Sequence, residues 1–406
     1  MPVYNRTTYL ERALRGVLDQ DPGPDQMQIE ILDNCSDQVD MRQFAHRIAG
    51  DRVSFHQHPR NLGIFGNLNA CIARANGEWV HVLHDDDMVR PGFYRELKKG
   101  IEHRSDVGAA FCRNAVIDPQ DRQIGISEIE RETPGIIDRW MERISLTARC
   151  QFCATVVRRS VYEALGGFSP ELGGSACDCE MWVRIASRYP FWFEPQVLAS
   201  FRHHPGSASA ANIRNGEIIA DRRLAIEAIK NYLPPEAALL MVSRIHDFTA
   251  NMAIRFAVNQ LQAGHFARAT TYLRDALLTS QSPAVVRAIE GGIFRHFQPF
   301  AQDALKHIAG FRQYPQDPVR LKSIRAIRQY VASQWLDLPP EYVEQALAHE
   351  LGGLHRAVLE SGILLQPLTQ DESLFLARVV SLERPLDRPE DVGRRLARDL
   401  YKQSTP

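Results

Sequence analysis

Short apolar runs and amphipathic stretches alternate through the first half of the chain. Leu10, Ala13, Leu14, Val17 and Leu18 recur at helical spacing, with Thr7 or Thr8 suited to the N-cap. Residues 29–32 and 53–56 carry strand patterns, and residues 41–49 and 67–75 carry helical ones. The stretch Trp79-Val80-His81-Val82-Leu83 predicts a buried strand, and it runs directly into Asp85-Asp86-Asp87. Strand, helix, strand, helix, strand predicts a parallel α/β sheet wound with right-handed crossovers. Asp33, Asn61 and Asp85 to Asp87 close their respective strands and should converge on one crevice at the C-terminal edge.

Downstream the pattern predicts a helix over 93–102 and strands over 107–112 and 152–157. A helical turn at 161–165 stops at Gly166-Gly167-Phe168, a helix follows over 178–188, and two short strands cover 191–193 and 197–202. The segment 123–137 is polar and poorly patterned, which predicts a mobile loop, and 173–175 reads as flexible. Near residue 210 the pattern changes. From there amphipathic helices are predicted over 220–232, 236–262, 266–278, 284–297, 318–335, 341–359, 371–379 and 389–401, with almost no strand signal. The division is therefore residues 1–210, an α/β domain, and 211–406, a helical domain of unknown role. A weak helical-hairpin repeat around 256–277 stands alone, whereas such arrays need about three stacked copies.

Composition narrows the function classes. A formal net charge of −1 over 406 residues gives no electrostatic case for nucleic acid. No apolar run approaches a membrane-spanning length, and the N-terminus carries no signal-peptide core. Seven cysteines, an odd number confined to the first half, argue for a reducing compartment and against a disulfide framework. Cys150/Cys153 with Cys177/Cys179 could be imagined as a zinc site, but the second spacing is poor for it, and buried or partly buried thiols are expected. The helix over 318–335 sets Leu321, Ile324, Ile327, Val331 and Trp335 on one face, with basic residues mostly elsewhere. Such a helix can lie peripherally on an anionic membrane or pack on its neighbours with a solvated basic face.

The acidic triplet carries the chemistry. Three adjacent carboxylates repel one another unless a cation sits among them, and Mg²⁺ or Mn²⁺ suits oxygen ligands while leaving positions for phosphate. A solvated acidic turn is the alternative for an isolated motif of this kind. Asp178 follows a Gly-rich loop and opens a helix. It can act as a general base or serve as a plain N-cap, and the helix N-terminus should lower its basicity.

Several segments occur together in one order: Pro2-Val3-Tyr4-Asn5-Arg6, Ile31 to Asp37, Asn61-Leu62-Gly63 with Asn67 and Asn69, Ala75 to Glu78, and His84-Asp85-Asp86-Asp87. Gly166-Gly167-Phe168, Asp178 with Glu180-Met181-Trp182 and Arg184, and Phe201-Arg202-His203-His204 with Ser207 continue it. This ordered set resembles the family 2 glycosyltransferases over roughly residues 1–210. The resemblance implies the GT-A fold, a Rossmann-like, mostly parallel sheet, with a helical region after it.

It further implies an inverting, hexosyl-type transfer from a nucleotide sugar (UDP-, GDP- or dTDP-linked) to a glycan or lipid-linked hydroxyl, in the synthesis of surface polysaccharide. Carried over by position, Pro2, Val3, Tyr4 and Asp33 hold the base, and Asp85 and Asp86 meet the ribose and diphosphate. Asp87, with Asp85 and His204, falls to the metal. Asp178 matches the catalytic base, and Gly167 and Phe168 begin the acceptor-facing loop. His204 has a solvent-facing loop as its other reading, and Arg202 can meet phosphate or bridge to a carboxylate. Asn61, Asn67 and Asn69 are expected to serve turns and helix caps.

Two departures stand out. Met1 occupies the place where the family has an apolar strand, which suggests a start assigned downstream of the true one. Cys177 stands where an acid commonly precedes the base. A cytoplasmic enzyme, peripheral to the inner face of the plasma membrane if the basic helix binds lipid, is one expectation. The other is a catalytically degenerate nucleotide-sugar-binding or assembly protein that uses its helical half for partners.

Overall fold

The structure is a computed structural model and describes residues 1–172, 176–263, 265–285 and 288. The helices expected beyond residue 285, the basic amphipathic helix among them, lie outside the described residues, as do residues 173–175.

The chain opens with β1 (Pro2–Val3), α1 (Leu10–Leu18), β2 (Glu30–Asp33), α2 (Met41–Ala49), β3 (Ser54–Gln57) and α3 (Gly63–Arg74). There follow β4 (Trp79–His81), β5 (Met88–Val89), α4 (Phe93–Ile101), β6 (Ala109–Ile117), β7 (Gln123–Ile126) and β8 (Gly135–Ile136). Next are α5 (Trp140–Ile144), β9 (Thr155–Arg158), α6 (Arg159–Leu165), α7 (Cys177–Ala186) and β10 (Phe191–Arg202). Helices α8 (Ala208–Asn215), α9 (Ile218–Ile229), α10 (Ala238–Gln262) and α11 (Phe266–Thr279) complete the described elements.

Strands β1, β2 and β3 pair in parallel, as the crossover pattern predicts. Beyond them the sheet is mixed. A second set runs β4-β9-β6-β10-β5, with β7 added to β6 and β8 to β10. There only β6 and β10 are parallel; β4–β9, β6–β9, β6–β7, β5–β10 and β8–β10 are antiparallel. The sheet is thus less parallel than the expectation, because after β4 the β6–β7 hairpin, the short strands β5 and β8, and β9 all run antiparallel to their neighbours.

Two local expectations are corrected. Residues 191–202 form one twelve-residue strand, not two. Its register against β6 shifts between Glu194 and Ala199, where Pro195 cannot donate and the Glu194 carboxylate accepts from the Gln196 amide at 3.1 Å. The segment 123–137 is structured: it holds β7 and β8, and buried Glu130 accepts from Arg143 and Arg149. An ion-paired interior has no apolar period, so it reads as a loop in sequence.

The described residues belong to two compact units, Met1–Ile245 and one beginning at His246. In the first, α1 buries Leu10, Ala13, Leu14 and Val17, and of these Leu10, Leu14 and Val17 join a cluster with Val3, Ile31, Val89 and Phe93. Each such leucine contributes about 1.5–3 kcal/mol relative to exposure. The other cluster centres on Phe111, Trp182, Phe191 and Phe193 and takes in Ala225, Ile226, Ile229, Leu233, Met241 and Ile245. That packing carries the first unit past the change of pattern at residue 210. In the second unit the Phe256 and Tyr272 rings meet at 5.3 Å. Among the described residues no helix is long and apolar enough to cross a membrane.

Candidate active site

The end of β1 is fastened to the loop after β2 by Asn5. This residue adopts a left-handed backbone, φ 52°, which asparagine tolerates better than most side chains. Its amide oxygen accepts from the backbone of Asp37 and Gln38, both at 3.0 Å, while its own backbone N–H donates to Ser36 Oγ at 2.8 Å. Asp33, fully buried at the end of β2, accepts from Ser36 Oγ at 2.5 Å and from Gln57 Nε2 at 2.9 Å. Val3 is buried, whereas Tyr4 stays exposed beside the fastened loop.

After β4 the chain leaves the sheet, and His84 to Asp87 form a turn before β5. Strand therefore covers only the first three residues of the predicted run. All three acids are buried. Arg6 meets two of them: its Nε lies 3.2 Å from Asp85 Oδ2, its Nη2 also contacts Asp85 Oδ1, and Nη2 lies 2.8 Å from Asp86 Oδ2. His204 Nε2 lies 3.1 Å from the same Asp86 oxygen. Asp87 accepts the Arg202 backbone N–H at 2.8 Å. The Arg202 guanidinium, buried at the end of β10, donates to the Asp86 and Asp118 carbonyls, pairs with Asp121 at 2.6 Å and lies over the Tyr9 ring. Of the two readings for Arg202, the structure has the bridge to a carboxylate.

Burial sets the electrostatics. It raises the Asp87 carboxyl well above the ordinary range, helped by neighbouring Asp86. Burial also raises Asp85 in spite of Arg6. Asp86 is buried too, yet His84, Arg6 and His204 together hold it below the ordinary range. Burial lowers His84, which favours its neutral form.

Among the described residues, His84, Asp86 and Asp87 each offer a ligand atom, all within 4.8 Å of one another. Two carboxylates and a neutral imidazole suit a divalent cation that keeps positions for outside oxygens. Of the residues expected at a metal, Asp87 is in this group. Asp85 is instead held by Arg6, and His204 by Asp86. The candidate zinc cysteines do not form such a group; all four are buried thiols.

Asp178 sits in the first turn of α7, half-buried, and accepts from the Cys179 backbone N–H at 2.7 Å. Burial raises its pKa, outweighing the Cys179 N–H and the charge of Arg222. The expected loss of basicity at a helix N-terminus is therefore overturned by desolvation. Helix α7 also fixes the Gly-rich loop, since Arg184 donates to the Leu165 carbonyl at 2.7 Å and the Gly167 carbonyl at 2.8 Å. Asn69 grips Phe168 from the other side, accepting its N–H at 2.7 Å and donating to its C=O at 2.9 Å. Asn61 serves a turn, accepting the Gly63 N–H at 2.8 Å, but Asn67 and Asn69 lie inside α3 and are not the expected turn or cap residues: Asn67 is buried and donates to the Leu32 carbonyl at 3.3 Å. Phe152 joins the two halves, with its ring 4.6 Å from His84, 5.5 Å from Phe168 and 5.6 Å from Trp182 of α7.

Sequence reasoning gave no role to Arg6, His84 or Phe152. The signal for His84 was its place directly before the acids. Arg6 lies 79 residues from Asp85, and nothing local marks that pairing.

The family model described as Glycosyl transferase family 2 matches residues 1–166. An uncharacterized protein of Mycobacterium tuberculosis (strain CDC 1551 / Oshkosh) is 25% identical over 242 residues, 55% of this chain and 72% of that one. The minor teichoic acid biosynthesis protein GgaB of Bacillus subtilis (strain 168) is 19% identical over 77% of this chain, a match spanning only 35% of GgaB. Among solved structures, residues 1–349 of S. aureus TarS in complex with UDP-GlcNAc are similar at 16% identity and a TM-score of 0.53, covering 74% of this chain and 90% of that one. This likeness shows the GT-A fold.

Proposed function

Residues 1–166 being a family 2 glycosyltransferase segment, we propose that the chain moves a sugar from a nucleoside-diphosphate sugar to a hydroxyl acceptor during synthesis of a surface glycan. The observation that carries this is the buried group His84, Asp86 and Asp87 at the strand's end, a place for a dication beside a diphosphate. A bound Mg²⁺ or Mn²⁺ would supply Lewis-acid stabilisation of the leaving diphosphate. Asp178 takes the acceptor hydroxyl's proton as the oxygen attacks the anomeric carbon, and the bond to the diphosphate breaks on the opposite face, which inverts the centre. Its raised pKa suits it to that work. The fastened loops at Asn5 and Asp33 line the base side with Pro2, Val3 and Tyr4, and Gly167-Phe168 lines the acceptor side. GgaB and the TarS complex favour a teichoic-acid-like acceptor and a UDP-linked donor. The domain reading, a transferase in the first half and a helical region for partners after it, belongs to the same proposal, as does a cytoplasmic location.

Thermal unfolding with UDP, GDP and dTDP and their sugar conjugates, with and without Mn²⁺, tests the reading. A ligand at about a hundred times its dissociation constant stabilises the fold by roughly 2.7 kcal/mol. A metal-dependent shift, lost in Asp87→Ala, is the expected result. Product formation should vanish in Asp178→Ala while donor binding persists. Donor binding by the wild type with no transfer to any glycan or lipid-linked acceptor would favour a binding protein over an enzyme.

A further inference from the structure

Arg6 and the cation group share one residue, Asp86. Asp86 Oδ2 is 2.8 Å from Arg6 Nη2 and 3.1 Å from His204 Nε2, and Asp86 is also one of the three residues that could ligate a dication. A guanidinium and a dication held on one carboxylate repel each other strongly at such short range. Asp85 lies outside the ligand group and binds the same guanidinium through both its oxygens. The three acids therefore divide their work: Asp86 and Asp87 face the cation, while Asp85 holds Arg6.

We propose that Arg6 acts as an internal counter-cation that later joins the donor site. It balances the buried acids before a cation arrives. It then gives up Asp86, stays tethered to Asp85, and turns its freed N–H groups to the oxygens of the donor's diphosphate. The side chain has room for this, being 29% exposed while Asp85 is 7% exposed. A guanidinium has five N–H groups, so it can keep a carboxylate and take a phosphate together. The proposal rests on the reading of the acidic turn as a cation site.

The test is Mn²⁺ binding to the full chain, followed by electron paramagnetic resonance without nucleotide. UDP affinity at saturating Mn²⁺ is then measured by calorimetry. Arg6→Met should bind Mn²⁺ about tenfold more tightly than wild type, since one competing positive charge is gone. The same variant should bind UDP about tenfold more weakly. Arg6→Lys, whose single ammonium cannot span both carboxylates, should also tighten Mn²⁺, and it serves if Arg6→Met does not fold. A folded variant with unchanged or weaker Mn²⁺ binding, beside a wild type that binds the ion, overturns the role of Arg6 alone. If wild type and variants all fail to bind Mn²⁺, the cation reading fails and this inference with it.

Discussion

Gly167→Ala offers a test of how the Gly166–Phe168 loop is held. A β-carbon at Gly167 would stand 2.2 Å from Asn69 Oδ1 and 2.8 Å from Asn69 Cγ. A free side-chain tip would swing aside at little cost, but this one is held at both ends by the Phe168 backbone, at 2.7 and 2.9 Å. Making room loses both hydrogen bonds. At about 0.5–1.5 kcal/mol net for each, the cost is about 1–3 kcal/mol. Backbone strain adds nothing at this residue, since the left-handed conformation belongs to its neighbour Gly166, φ 83°. Urea denaturation of Gly167→Ala, Asn69→Ala and the double variant measures the effect. Asn69→Ala forfeits the same bonds and opens the space, so the double variant should be little worse than either single one. The coupling energy then equals most of the smaller loss. Simple addition of the two losses would refute the clash as the cause.

Two further outcomes follow from burial. Asp178 has a folded pKa above the unfolded carboxylate value of about 3.9, so the wild type loses stability as pH rises through that value and up to the folded one. Asp178→Asn should melt higher than wild type, by a margin wider at neutral pH than near pH 4, while transfer is lost; a margin independent of pH would count against a desolvated carboxylate. Of the seven thiols, six are buried and Cys35 is half-exposed. DTNB should therefore find one fast thiol in the native protein and seven after unfolding, and Cys35→Ser should remove the fast phase.

The parallel β1-β2-β3 segment was legible because crossover helices leave a strong periodic signature. The acidic turn stood out in the sequence because three adjacent carboxylates repel one another, and the structure buries all three. Of the groups that reach those acids, His204, 118 residues away, was set beside them by the resemblance, but Arg6 and the Arg202 backbone, 79 and 115 residues away, were not, since no local pattern encodes such pairings. Glu130 was missed for a related reason: its burial depends on two arginines farther along the chain, so polarity there resembles a loop. The basicity of Asp178 was misjudged because the helix terminus is visible in sequence and the burial around it is not.

The long reach of β10 also has a meaning for synthesis on the ribosome. The acids at 85 to 87 emerge early, but Arg202 and His204 leave the exit tunnel more than a hundred residues later. During that interval the parallel strands and α1 can already pair, while the acidic turn lacks the groups that allow it to be buried. The nascent crevice must stay hydrated until β10 arrives. The acidic turn is thus among the last parts of the first unit to close, and a chain stalled before residue 204 would carry the matched segment 1–166 without the groups that bury its acids.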